Sequence, residues 1–539
     1  MTVSLPARRY GALFALAATL GLSAQSPTAP WLPDLGDGTF RNPVIFADYS
    51  DPDVARQGDD YYLVASSFNV TPALPILHSR DLVNWTIVGH AAPRLPSPRY
   101  DTPQHGQGVW APSLRVHDGT FWIYFGDPDL GIFMTTATDP RGPWAPLALV
   151  ADARGWIDPC PLWDDDGSMY LVHAWAKSRA GFNSVLTLRR LTADGRRLAD
   201  DKAVTVFDGT TTQPTIEGPK FYKRGGYYYI FAPAGGVTNG WQTVLRSRSV
   251  GGPYEERIVM RQGRTAVNGP HQGGWIETPN GESWFVHFQD RGPYGRIVHL
   301  QPMTWRDDWP VIGADPDGDG VGEPVPVFRK PTVRDAGART APQATDEFNS
   351  ERLGLQWQWE ANEGEGWRSL TARPGFLRLF AQPLPDRNAN LWSAPHLLMQ
   401  KLPAESFEAN ASVRLETTSP GDAIALVTMG LDYALVRLVR TAGGWRLEHV
   451  VCTGAADSGA ETIDATAIGA RDTQLRLSVS AGTVEFSYSV DTGATFRPIG
   501  GRTALREGRW MGAKFGLVAT RPIGSAAGGF ADVDWVRVK

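Results

Sequence analysis

Residues 217–236, EGPKFYKRGGYYYIFAPAGG, open on an acidic residue and a proline, run through a short strand-like stretch, turn at Gly225-Gly226 and return through the aromatic run YYYIFA. Glycines between two such runs supply the positive φ angles that a tight hairpin needs. Tyr, Ile and Phe suit a pleated, half-buried surface. The unit reads as strand, turn, strand. The same layout recurs at 51–67 (DPDVARQGDDYYLVASS), 111–126 (APSLRVHDGTFWIYFG), 158–175 (DPCPLWDDDGSMYLVHAW) and 269–290 (GPHQGGWIETPNGESWFVHFQD). No part of this region keeps a 3.6-residue period, so it is read as all-β.

Repeat starts fall roughly 47 to 60 residues apart, the length of a four-stranded blade rather than of a solenoid turn. Five units imply a five-bladed β-propeller, assigned to residues 38–328. Residues 329–345 contain the polar, Ala-rich TVRDAGARTAPQA and read as a linker. From 346 to 539, alternating strands such as SFEANASVRLE and YALVRLVR, with turn signals between them, predict a β-sandwich accessory domain of jelly-roll-like type.

Charge narrows the partner. The 52 basic and 57 acidic residues are spread along the chain and give a net charge of -5, which leaves neither a nucleic-acid stripe nor a polybasic membrane patch. A neutral or weakly charged partner fits better. Aromatic residues make up 11% of the chain and Trp alone accounts for 20 positions, which suits either blade packing or sugar-stacking surfaces. Cys160 and Cys452 fall in different predicted domains and read as buried thiols, not a disulfide. At the amino end, Arg8 and Arg9 precede a short apolar run from Gly11 to Leu22 and small residues at Ser23 and Ala24. That is the layout of a signal peptide over 1–24, with export to a periplasm or the outside as its consequence.

Three repeat heads are acidic: Asp51, Asp158 and Glu217. Equivalent heads of a propeller converge on one funnel, so these would form a carboxylate triad. Glycosidic cleavage needs one carboxylic acid to protonate the leaving oxygen and one carboxylate to act on water or on the anomeric carbon. A third carboxylate would hold the acid's pKa up by like-charge repulsion. Taken singly, Asp before Pro is also a common turn.

Six segments in order, RNPVIFADYSDPDV, GVWAPSL, IDPCPLWDDDG, TIEGPKFYKRGGYYYIFAPAGG, NGPHQGGW and YGRIVHLQPMTWRDDWPVIG, together resemble glycoside hydrolase family 43 over residues 41 to about 328. The tail resembles the sandwich appended in the β-xylosidase-like branch of that family. The resemblance implies Asp51 as general base, Glu217 as general acid and Asp158 as the residue that tunes and orients the acid. It also implies Phe68 and Trp110 as aromatic walls of a sugar pocket, and Arg296 as a hydroxyl-binding arginine. Asp48 and Asp53 lie outside the motif position, with Asp53 assigned to fixing the turn. At His271, head of the fifth repeat, the resemblance implies a single-histidine site for Ca²⁺ or for a water cluster. No cofactor is implied for the chemistry.

The implied function is an inverting, exo-acting hydrolase releasing terminal xylose or arabinose from hemicellulose-derived oligosaccharides. One departure from the family is Ser113 after Pro112, where several β-xylosidases carry His. The alternatives are an endo-arabinanase, or a non-catalytic carbohydrate-binding propeller. A fructan-cleaving propeller is set aside because its Asn-Asp-Pro-Asn and Arg-Asp-Pro motifs are missing. In the sandwich, Trp357, Trp359 and Trp367 are either core or a sugar-binding platform. The acidic stretch DPDGDGVGEP at 315–324 lacks the Glu of a calcium loop, with Pro326 in its place, and reads as a turn.

Overall fold

The computed structural model describes residues 1, 29–386, 389–525 and 528–539. Residues 2–24 of the predicted leader therefore lie outside the described residues. Among the described residues, no helix is long and apolar enough to cross a membrane.

Residues 53–312 form five sheets of four strands, each built in chain order as an antiparallel meander. The innermost strands are Asp53–Gln57, Trp110–His117, Trp156–Trp163, Lys220–Arg224 and His271–Glu277. In the fourth blade Arg224 pairs with Tyr227, leaving Gly225 and Gly226 as a two-residue loop with φ of 58° and 76°. Glycine takes two successive angles of this kind most readily. The ring is closed by Thr39–Arg41 pairing antiparallel with Val327–Arg329 and by a bridge between Ile45 and Val298. Much of the aromatic content packs blade against blade: Tyr229, Phe231, Trp275, Phe285 and Trp309 fill the seam between the last two blades.

The C-terminal part is a sandwich of two large antiparallel sheets. Strand Phe407–Glu416 alternates buried and half-buried residues along its whole length, so Ala409, Ala411, Val413 and Leu415 face the core. Trp357 and Trp359 are each 1% exposed in that core, and half-buried Trp367 stands edge-on to Trp359. The platform reading of the first two falls: their rings are inside the fold.

The sandwich is joined to the propeller by backbone hydrogen bonds. Thr71 and Trp359 exchange bonds of 3.0 and 2.6 Å, and Asn69 and Thr71 donate their side chains to the carbonyls of Glu360 and Ala361. A second contact lies at Asp48, whose carboxylate accepts from the N–H of Arg296 and from the N–H of Gly512, each at 2.9 Å. One propeller aspartate thus fixes a sandwich loop, 505–513.

Candidate active site

Each innermost strand begins with a one-residue bulge, and the bulge decides which side chains face the funnel. In the second, third and fifth blades the register slips after Trp110, Ile157 and His271. The bulged residues that follow, Ala111, Asp158 and Gln272, all have positive φ, as does Asp51 at 54° in the first blade. In the fourth blade Glu217 bonds back to Pro233, and the positive-φ position belongs to Gly218. Asp51 and Asp158 are therefore equivalent, whereas Glu217 stands one residue earlier, in line with Trp110, Ile157 and His271. The sequence reading placed all three acids at one repeat position; the bulge shifts Glu217 by one.

The three acids nonetheless meet in one cavity, lined by Asp51, Asp158, Glu217, Arg296, Phe68 and Trp110 together with Ala111, Ile157, Val237, Gln272 and Trp510. Asp51 is 5% exposed; Ser66 Oγ donates to its Oδ2 at 2.5 Å and Arg296 Nη1 to its Oδ1 at 3.0 Å. Arg296, a charge inside an apolar strand, thus has its partner, and a further bond to Ser50 Oγ at 2.8 Å. Asp158 is 4% exposed and its Oδ2 accepts the N–H of Gly218 at 2.7 Å. The Glu217 side chain is 31% exposed, the most open of the three, and its Oε1 lies 3.6 Å from His271 Nε2.

Burial pushes the carboxyls of both Asp158 and Glu217 well above the usual range, and their mutual repulsion adds to the push on Glu217. The two groups titrate as a pair. A backbone donor favours the anionic form of Asp158, while Glu217 has no such donor among the described residues, so the proton of the pair resides on Glu217. The arrangement offers an acid facing open space, an anion that holds its proton in place, and a second carboxylate bound by a cation and a hydroxyl.

The walls are held from behind. Phe68 is fixed by an exchange of backbone bonds with Val109 and packs with Val70 and Met511. Trp110 donates Nε1 to the Gly106 carbonyl at 3.0 Å and meets Trp510 edge-on, with ring centroids 6.2 Å apart. Trp510 comes from the sandwich, is 54% exposed, and sits on the loop that Asp48 fastens. Sequence reasoning missed it, and missed Gln272. The available signal for Trp510 was a Trp between Gly508 and Gly512, outside any alternating strand.

Asp53 does not fix a turn. Fully buried, it accepts from the Leu114 N–H at 2.9 Å and from Arg115 Nη1 at 2.7 Å, with Lys220 Nζ 3.9 Å away. It ties the first blade to the second and fourth directly beneath the site. Cys160 joins this cluster: its buried sulfur receives the Phe221 N–H at 3.2 Å and lies 2.8 Å from Arg115 Nη2.

His271 is fully buried, its two ring nitrogens have no hydrogen-bond partner among the described residues, and burial lowers its pKa to about 3, so the ring is neutral. Calcium takes six to eight oxygen ligands. Here one carboxylate, Glu217, is near, and ligating it would remove the proton the acid must carry. No group of three His, Cys, Asp or Glu ligand atoms among the described residues includes His271. The donor set does not fit a protein-built calcium shell; unpartnered ring nitrogens are of the kind that ordered water satisfies. The cluster of that type that is found, Asp315, Asp317 and Asp319, is drawn into turn bonds, with Asp315 paired to Arg306 at 2.9 Å and capping Gly318 and Gly320.

Another cavity, at the seam of propeller, linker and sandwich, is lined by Trp31, Phe46, Tyr49, Gln343 and Lys401 and by no carboxylate. It lacks the pair of carboxyl groups that glycosidic cleavage uses.

A five-bladed propeller with three carboxylates converging on one pocket defines a glycoside hydrolase. Residues 40–310 match the profile of Glycosyl hydrolases family 43, and residues 345–539 match the Beta xylosidase C-terminal Concanavalin A-like domain. The chain belongs to glycoside hydrolase family 43. It is 40% identical to a putative beta-xylosidase of Xylanibacter ruminicola over 90% of this chain and 87% of that one. It is 32% identical to a beta-xylosidase of Formosa agariphila, over 95% and 92% of the two chains. A non-reducing end alpha-L-arabinofuranosidase of Bacteroides ovatus is 32% identical over 74% and 75%. Among solved structures, a family 43 protein of Bacillus licheniformis superposes with a TM-score of 0.81 at 26% identity, over 93% of this chain and 99% of that one.

Proposed function

We propose that the protein is an inverting, exo-acting hydrolase that removes terminal xylose or arabinose from hemicellulose-derived oligosaccharides. The observation that carries this reading is the single walled pocket in which Asp51, Asp158 and Glu217 converge. Glu217 gives its proton to the glycosidic oxygen as the bond from that oxygen to the anomeric carbon breaks. Asp51 takes a proton from a water whose oxygen bonds to the anomeric carbon from the opposite face, and the sugar leaves with inverted configuration. Asp158 keeps the acid protonated and orients it. Arg296 holds the base and offers its remaining donors to sugar hydroxyls.

Pentose is favoured by the β-xylosidase and arabinofuranosidase relatives. Exo action is favoured over an endo-arabinanase by Trp510, which walls one side of what an endo enzyme would keep as an open groove. The leader read over 1–24 supports a secreted or periplasmic enzyme acting on a neutral oligosaccharide, with no cofactor required by two carboxylates and water.

The test is a panel of nitrophenyl xylopyranoside and arabinofuranoside, xylobiose and debranched arabinan, with the first-formed anomer followed by proton NMR. Release of an inverted monosaccharide is expected. Retention of configuration, or cleavage within debranched arabinan alone, would refute the reading.

A further inference from the structure

The bulged positions at the heads of the five inner strands hold Asp51, Ala111, Asp158, Gly218 and Gln272, with φ of 54°, 38°, 57°, 59° and 41°. Two of these are carboxylates of the site. Gln272 occupies the equivalent place in the fifth blade, in a left-handed conformation that is strained for a non-glycine residue and that concentrates at functional sites. It is 3% exposed, lines the cavity, and its Nε2 has no acceptor among the described residues.

Its place beside the acid is fixed by Gly218. A Cβ on Gly218 would stand 2.7 Å from Gln272 Cδ and 2.9 Å from Nε2, so the glycine after Glu217 leaves the space that the amide fills. Of the other polar side chains of the pocket, Arg296 donates to Asp51, Asp158 accepts from the Gly218 N–H, and Glu217 carries the proton for the leaving group. The remaining walls, Phe68, Trp110, Ile157, Val237 and Trp510, are mainly apolar. A buried amide donor without an acceptor is unfavourable until a ligand supplies one.

We propose that the Gln272 carboxamide donates a hydrogen bond to a hydroxyl oxygen of the sugar held beside Glu217, making Gln272 a specificity-determining residue. The inference rests on the hydrolase reading above. A donor buried this way penalises a sugar that lacks the matching hydroxyl, because the amide is then left unpaired.

Gln272→Leu and Gln272→Met remove the donor, and Gln272→Asn keeps an amide on a shorter arm. Each is checked by thermal unfolding and assayed on the nitrophenyl pentoside the wild type cleaves and on its monodeoxy analogues. The expected loss in kcat/KM for the apolar variants is about 10- to 100-fold, with the pH profile unmoved and partial recovery in the Asn variant. One deoxy analogue should cost the wild type a similar factor and cost the apolar variants nothing more. Activity within twofold of wild type, or a loss that adds in full to every deoxy penalty, would overturn the inference. Glu217→Gln serves as the control. If that variant keeps full activity the hydrolase reading itself falls, whereas an inactive Glu217→Gln beside an unaffected Gln272→Leu removes only the role of Gln272.

Discussion

The backbone N–H of Gly218 donates to Asp158 Oδ2 at 2.7 Å, so the peptide that carries Glu217 also pins the anion that keeps Glu217 protonated. Acid and modulator are coupled through a covalent neighbour rather than through a flexible side chain. The bulge makes this possible, because it turns the Gly218 amide inward while Glu217 points at the cavity.

Replacing Asp158 by Asn keeps an acceptor for Gly218 and removes the charge. Burial is the first cause of the raised Glu217 pKa and Asp158 the second. Activity is lost as pH rises through that pKa, since the acid gives up its proton. The alkaline limb of kcat/KM in Asp158→Asn should therefore move to lower pH, alongside a fall in kcat. A limb that stays in place would show that Asp158 does not tune the acid.

Asp158 and Glu217 together cost stability. The Glu217 pKa is raised, so the folded pair keeps on Glu217 a proton that the unfolded chain has released. That stability is lost as pH rises from about 4 toward the folded pKa of Glu217. Asp158→Asn removes the buried anion that repels Glu217, so it should unfold at about the same temperature as wild type near pH 4 and at a higher temperature at pH 7. Paired thermal melts at the two pH values check this; equal melting temperatures at pH 7 would argue against a strained carboxyl.

Trp510 reaches the pocket from the sandwich and meets Trp110 edge-on. The edge-on pair holding this wall is worth about 1 kcal/mol. Trp510→Ala should raise KM several-fold for oligosaccharides and leave kcat on a nitrophenyl pentoside close to wild type. An equal effect on both substrates would place Trp510 in loop support instead.

Asp53 balances two buried cations, Arg115 and Lys220. Removing one member of such a cluster leaves uncompensated charge and costs about 3–5 kcal/mol. Asp53→Asn should therefore lower the denaturation midpoint by far more than Asp158→Asn changes it. Circular dichroism in a urea series reads the difference.

The hairpin signals made the five blades legible, because Gly and Asp at fixed places between aromatic strands have few other uses. The aromatic and arginine positions of the pocket, Phe68, Trp110 and Arg296, were legible only through the family resemblance. What stayed hidden depended on register or on the second domain. A one-residue bulge is not visible in spacing, so Glu217 was aligned with Asp51 and Gln272 went unnoticed. Asp53 resembled a turn residue because its partners, Arg115 and Lys220, come from other blades. Trp510 lies far along the chain from the site it walls, and only the docking of the sandwich through Asp48 brings it there.

The central assignment is Glu217 as the proton donor and Asp51 as the base. The most direct measurement is single-turnover and steady-state hydrolysis by Glu217→Gln of an unactivated pentose disaccharide beside a dinitrophenyl pentoside, whose leaving group needs no proton. The disaccharide rate is expected to fall by about 10²–10⁴ while the dinitrophenyl rate falls far less. Near wild-type cleavage of the disaccharide, or an equal loss on both substrates, would contradict the assignment.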